Sequence, residues 1–184
     1  MPGRKKNIFI VGLPGVGKTV LIRNVLGHLA RTTTKGFYTE EIRKGGNRVG
    51  FSLKTVDGRL YTLAHVTDVV SRYRVGRYKV DLGTFERVVD EELKVHRDVT
   101  AYVVDEVGKM ECLSPLFRRR LKEILESEAD VIATIAAKGD EYIEAVKNRS
   151  DISVVHLTRQ NRDEMLKEAL RLCGVAESNS VVKR

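Results

Sequence analysis

Long hydrophobic runs are missing from this chain. No apolar stretch approaches the roughly 18 residues of a membrane-crossing helix, so no membrane partner is expected. Cysteine is scarce as well, with only Cys112 and Cys173 present. They share neither a C-x-x-C spacing nor a metal-ligand pattern. A disulfide framework and a zinc cluster are thereby excluded, and reduced, partly buried thiols are expected. His28, His65, His96 and His156 are scattered along the chain, which speaks against a structural metal site. Internal repeats and low-complexity tracts are absent too.

What remains is an ordinary folding composition. The 184 residues are 42% hydrophobic and 32% charged, which suffices for a single core. One domain over residues 1–177, a flexible tail over 178–184 and a monomer are expected. The start, Met1 to Lys6, is basic, but the short apolar stretch behind it runs straight into a glycine-rich turn. Cleavage of a leader there would destroy the turn, so a cytoplasmic protein is expected. The net charge of +8 is unevenly spread. From Lys35 to Lys79 ten Lys or Arg stand against four Asp or Glu, and from Val80 to Asp130 eight stand against thirteen. A basic surface of this kind steers polyanions such as triphosphates or RNA. It is equally the solvated face of a lysine- and glutamate-rich, heat-adapted chain.

The glycine-rich turn is the most informative feature. Gly12-Leu13-Pro14-Gly15-Val16-Gly17-Lys18-Thr19 fits the phosphate-loop pattern G-x-x-x-x-G-K-[ST]. The apolar run Ile8-Phe9-Ile10-Val11 precedes it. Leu21, Ile22, Val25, Leu26 and Leu29 follow at helical spacing, giving the strand-loop-helix context that the motif requires. The glycines let backbone N–H groups turn inward around phosphate oxygens, and the following helix adds the positive end of its dipole. Lys18 is placed to reach the β- and γ-phosphates, and Thr19 to put its hydroxyl on an accompanying Mg²⁺. A nucleoside triphosphate, or a ligand built like one, is the expected partner.

Farther along, Lys35–Arg43, Arg48–Val56 and Arg59–Val66 read as three antiparallel strands, with turns at Gly45-Gly46-Asn47 and Asp57-Gly58. This meander, residues 35–66, is an insertion after the first strand-helix unit. Thr67 to Lys79 carries few apolar residues and reads as a loop. Thr84–Val95 has helical spacing. Val99–Val104 and Val131–Ile135 read as buried strands, and Ile152–Val155 as a last one. Ser114-Pro115 and Asp140 read as helix starts. Asn161 with Glu164 reads as a capping box for a final helix that stops at Gly174. Apolar strands alternating with helices predict an α/β fold, a mostly parallel sheet covered by helices on both faces.

The strand Ala101–Val104 runs into Asp105-Glu106. The spacing predicts a carboxylate next to the phosphate-loop strand, where Asp105 holds Mg²⁺ through a water. Glu106 then faces the other side of the strand end, where it polarises a water for in-line attack on the γ-phosphate. Glu111 is a secondary base candidate, better read as a plain loop carboxylate.

Together with Gly12–Thr19, the string Asp105-Glu106-Val107-Gly108-Lys109-Met110-Glu111 resembles the THEP1 family of nucleoside triphosphatases. The segments Gly36–Arg43 with Gly50-Phe51, and Asn161-Arg162-Asp163, resemble that family's hairpin and last helix. The likeness runs from Asn7 to about Leu172, with Val107 standing where isoleucine is usual. It implies a three-layer P-loop NTPase fold and Mg²⁺-dependent hydrolysis of ATP, GTP and other triphosphates with little base selectivity. Nucleotide binding then falls to Gly12 through Thr19 with Asp105 and Glu106, and catalysis to Lys18 and Glu106. For the cation opposite Lys18, Arg162 and Lys109 are candidates because family-like motifs contain them. Arg118, Arg119, Arg120, Arg149 and Arg159 are merely available.

Two other readings stand beside this one. The loop also suits a nucleotide or nucleoside kinase, although an acceptor motif is lacking. The basic, tyrosine-bearing segment 35–79 suits a nucleotide-switched RNA-binding module, although alternating hairpin aromatics more often pack on a core.

Overall fold

The computed structural model describes residues 6–29 and 33–172. Cys173, the expected helix stop at Gly174 and the tail at 178–184 lie outside the described residues.

Strand β1 (Asn7–Gly12) leads through the glycine-rich turn into α1 (Lys18–Leu29). The meander follows as β2 (Thr34–Lys44), β3 (Asn47–Thr55) and β4 (Leu60–His65). Next come β5 (Arg74–Val75), β6 (Tyr78–Val80) and α2 (Leu82–Glu92). The second half alternates β7 (Ala101–Val107), α3 (Pro115–Glu126), β8 (Asp130–Ala136), α4 (Glu141–Lys147), β9 (Ile152–His156) and α5 (Arg162–Leu172).

All nine strands join one sheet in the order β5-β6-β4-β3-β2-β7-β8-β1-β9. From β2 to β9 the pairings are parallel, and the meander side from β2 to β5 is antiparallel. Residues alternate between the two faces of β1, and both sets are apolar. Ile8 and Ile10 pack with Ile22, Val25 and Ala169 of α1 and α5, while Phe9 joins Phe85, Leu121 and Ile143 of α2, α3 and α4. On the latter face Phe37, Phe85 and Phe117 meet at ring separations of 5.7, 6.4 and 5.6 Å, which ties β2 to α2 and α3.

The start signals hold at two helices. Ser114 accepts from the Phe117 N–H, and Asp140 from the Ile143 N–H. Three expectations are corrected. Thr67–Lys79 is not wholly a loop, because β5 and β6 form a short hairpin that extends the sheet. Val80 pairs with Ala64, and the Tyr78 ring meets Phe51 edge-on at 5.1 Å, so the open edge of β4 supplies the order that local composition does not signal. Asn161 does not form a capping box with Glu164. Its side chain folds the β9–α5 turn instead, accepting from the Thr158 N–H at 2.7 Å and donating to the His156 carbonyl at 2.8 Å. The strand that ends in Asp105 is not next to the phosphate-loop strand, because β8 lies between β7 and β1. Sequence separation does not reveal which strands become neighbours.

The β2–β7 junction rests on Gly36. Its φ of +123° and its pairing with Val103 leave no room for a side chain: a Cβ would stand 1.9 Å from the Val103 carbonyl oxygen. Gly36→Ala is therefore expected to lose roughly 2–4 kcal/mol of stability. Urea titration followed by circular dichroism checks this, and a midpoint equal to that of the wild type would contradict it.

Candidate active site

The glycine-rich turn sits at the C-terminal end of the parallel strands. Gly15 and Gly17 have φ of +74° and +104°, which turns the backbone between β1 and α1. Thr19 follows in the first turn of α1. Lys18, with a side chain only 13% exposed, folds back over the turn. Its Nζ donates to the Gly12 carbonyl at 3.0 Å and lies 3.3 Å from Glu106 Oε1.

Asp105 is 2% exposed, at the end of β7. Its two oxygens take hydroxyls from different elements. Thr19 Oγ1 of α1 donates at 2.7 Å and Thr134 Oγ1 of β8 at 2.5 Å, while the Thr39 N–H of β2 adds a third bond. Burial pushes the carboxyl above its ordinary range, and these bonds and the Lys18 charge oppose the rise. Burial also raises Glu106, with Lys18 opposing and Asp105 reinforcing the rise. The two residues are joined by a cis peptide bond.

Glu111 departs from the reading as a plain loop carboxylate. The 3₁₀ turn Glu111–Leu113 carries it under the chain, where it is buried. Its Oε2 and that of Glu106 lie 3.0 and 3.3 Å from the point where a Cβ on Gly108 would stand, so the two acids share one confined corner. Burial, then the charges of Glu106 and Asp105, push the Glu111 carboxyl up to about 8.

A cavity of about 870 Å³ opens over these groups. Leu13, Pro14, Gly15, Gly17, Lys18 and Thr19 form its floor, with Asp105 and Glu106 beside them. Thr39, Glu40, Glu41 and Phe51 of the meander wall it on one side, and Arg23 and Lys138 also reach it. Val16 is buried in the core beneath. The meander is therefore part of the site and not a remote insertion.

The candidate cations separate by position. Arg162, at the start of α5, donates from Nε to the Val16 carbonyl at 3.0 Å, and its guanidinium lies against Gly17. Lys109 is exposed and does not line this cavity. Arg118 is bonded to the Cys112 carbonyl and lies over the Tyr142 ring. Arg119 faces Glu123, Arg120 binds Asp90 and Glu123, and Arg149 binds Asp151. The basic meander is similarly occupied. Arg48 lies over both Phe51 and Tyr78, Arg77 over Tyr78 and Arg72 over Tyr73.

Sequence reasoning missed Thr134 and Thr39. A lone hydroxyl in the otherwise apolar run Val131–Ile135 was the signal for the first, since a buried hydroxyl needs a partner. Nothing local marks Thr39, whose contribution is its backbone N–H.

The oxygens around Asp105 suit a hard divalent cation. Magnesium favours oxygen donors, keeps several waters and takes one or two carboxylates together with substrate phosphates. Thr19 and Asp105 offer that set. Among the described residues no cluster of three or more His, Cys, Asp or Glu could form an all-protein cage.

The NTPase family model matches residues 7–170. The chain is 44% identical over 164 residues to the nucleoside-triphosphatase THEP1 of Thermotoga maritima, across 89% of this chain and 92% of that one. Its fold matches the crystal structure of THEP1 from Aquifex aeolicus with a TM-score of 0.82 and 30% identity, covering 91% of this chain and 98% of the other. The solution structure of a human cancer-related nucleoside triphosphatase matches with a TM-score of 0.76 and 32% identity, covering 90% and 96%.

Glu111 makes the stability dependent on pH. Its carboxyl titrates near 4.5 in the unfolded chain and near 8 in the folded one, so the folded state holds the extra proton in between. This contribution is complete below about pH 4.5 and is lost as the pH rises to about 8. Glu111→Gln keeps the shape without the ionisation. Its melting temperature is expected to fall less steeply across that window than that of the wild type, as read by thermal melts at a series of pH values. Parallel curves would remove Glu111 as the source.

Proposed function

The chain belongs to the NTPase family of nucleoside triphosphatases, and from that premise we propose that it hydrolyses nucleoside 5′-triphosphates, ATP and GTP among them, to the diphosphate and phosphate with Mg²⁺. The observation that carries this reading is the Lys18–Glu106 contact of 3.3 Å beside the phosphate loop. It brings a phosphate-binding cation and a base for water to the same spot.

The loop N–H groups and Lys18 bind the β- and γ-phosphates. Thr19 and Asp105 would hold Mg²⁺, Asp105 through a water, and the ion when bound neutralises charge on the phosphate oxygens. Glu106 orients a water against the γ-phosphorus and accepts its proton as the new P–O bond forms. The bond from the γ-phosphorus to the bridging oxygen breaks, and the diphosphate keeps that electron pair. Burial raises the proton affinity of Glu106, which makes it a better base than a solvated carboxylate. Thr134 acts through Asp105 by fixing the orientation of its carboxylate.

Phosphate release without an added acceptor is the direct test, and strict dependence on an acceptor would favour a kinase instead. Glu106→Gln is expected to lower kcat by roughly 10²- to 10⁴-fold while nucleotide affinity is retained. Lys18→Ala should weaken affinity and turnover together. Thr134→Val is expected to raise the Mg²⁺ concentration for half-maximal activity roughly ten- to hundredfold, measured by titrating phosphate release against the metal. An unchanged Mg²⁺ requirement would mean that Asp105 needs no such support.

A further inference from the structure

Among the described residues, the cations that line the large cavity are Lys18, Arg23 and Lys138. Lys18 serves the phosphate loop. Arg23 is engaged by the meander, with its Nη1 3.2 Å from Glu40 Oε1 and its guanidinium over the Tyr38 ring. Lys138 is exposed, and among the described residues it has no carboxylate partner. None of the cations singled out from the sequence, Arg162 and Lys109 included, lines this cavity.

We propose that Lys138 is the catalytic cation that joins Lys18 in meeting the charge that develops on the γ-phosphoryl oxygens. The proposal rests on the triphosphatase reading of this site. Strand register carries it. β8 lies between β1 and β7, with Ala136 beside Gly12 and Ile135 beside Val107. Lys138 therefore leaves the sheet just beyond the level at which the phosphate loop begins, between that loop and the strand end that bears Asp105 and Glu106. Ala136, Ala137 and Lys138 all line the cavity. A terminal phosphate held by the loop and facing Glu106 has the end of β8 beside it.

The backbone is held on both sides of Lys138. Lys147 Nζ of α4 donates to the Ala137 carbonyl at 2.8 Å, and the Gly139 N–H donates to Glu144 Oε1 at 3.1 Å. Lys147 and Glu144 are themselves paired at 2.8 Å. Gly139 packs so closely on α4 that a Cβ there would stand 2.4 Å from Ile143 Cβ. The backbone at Lys138 is thus set before a ligand arrives, and only side-chain rotamers remain to be ordered. A phosphoryl group in transfer spreads its charge over its equatorial oxygens, which a compact ammonium with several N–H donors suits. Lys138 keeps its proton throughout. The proton of the attacking water goes to Glu106, and the diphosphate leaves with the electron pair of the broken bond.

Lys138→Met removes the charge and keeps a side chain of similar reach. Its kcat for phosphate release from ATP with Mg²⁺ is expected to fall roughly 10²- to 10³-fold, and kcat/KM by a like factor. Titration calorimetry with ADP and Mg²⁺ should give the wild-type affinity, which also reports an intact phosphate loop. Aluminium fluoride mimics the phosphoryl group in transfer, so adding it should tighten ADP binding far more in the wild type than in Lys138→Met. Lys138→Arg, which restores a charge, should recover much of both effects. Wild-type kcat in Lys138→Met, a loss of ADP affinity matching the loss of turnover, or an equal gain from aluminium fluoride in both proteins would each overturn the assignment. A loss in Arg23→Met without one in Lys138→Met would move the role to Arg23. Phosphate release by the wild type tests the triphosphatase reading separately: a wild type that releases none removes that reading and this role together, whereas an active wild type beside an unimpaired Lys138→Met removes the role of Lys138 alone.

Discussion

The buried carboxylate of Asp105 is the constraint on which the site depends. A charge 2% exposed needs partners, and they come from three other elements: α1 through Thr19, β8 through Thr134 and β2 through the Thr39 N–H. Satisfying one side chain thus sets how the phosphate loop, the central strands and the meander stand relative to one another. Because β8 separates β7 from β1, the hydroxyl of Thr134 occupies ground that a direct β1–β7 neighbourhood would not contain. The orientation of the Asp105 carboxylate is thus also part of the packing of the sheet.

A second group of charges acts around this centre. Lys18 lies between the Gly12 carbonyl and Glu106, and Glu111 is confined beside Glu106 at Gly108. Three acids at one strand end repel one another, and burial strengthens that repulsion. One cation facing them opposes the rise that burial imposes on Asp105 and Glu106, while burial and the charges of those two acids push Glu111 up to about 8. Lys18 therefore acts on two of the three acids, and the third, Glu111, is held protonated near neutrality.

The meander shows how composition and placement differ in meaning. Its excess of basic residues suggested a surface for polyanions. In the structure Arg59 binds Asp57, Glu91 and Glu92, Arg43 and Arg48 bind Glu41, and the guanidinium groups of Arg72 and Arg77 lie over tyrosine rings. Much of the basic excess thereby pairs with the acidic α2 and with the segment's own aromatics. Its contribution to the site comes from Thr39, Glu40, Glu41 and Phe51, which wall the larger cavity.

Local signals were enough for the strand-loop-helix of Gly12–Thr19, the caps at Ser114 and Asp140, the three meander strands and the acidic strand end at Asp105-Glu106. Each follows from interactions within a few residues: backbone conformations only glycine adopts freely, N–H groups needing a cap, apolar period and turn chemistry. Tertiary structure alone decided that β8 intervenes beside β1, that Thr134 and Thr39 complete Asp105, that Glu111 is buried and that Asn161 faces a turn. It likewise decided that β5 and β6 form strands and that Arg162 reaches the loop from α5. These depend on which distant surfaces meet and which groups lose water when they do. No window of the chain holds that information, because desolvation and hydrogen-bond satisfaction are properties of the assembled sheet.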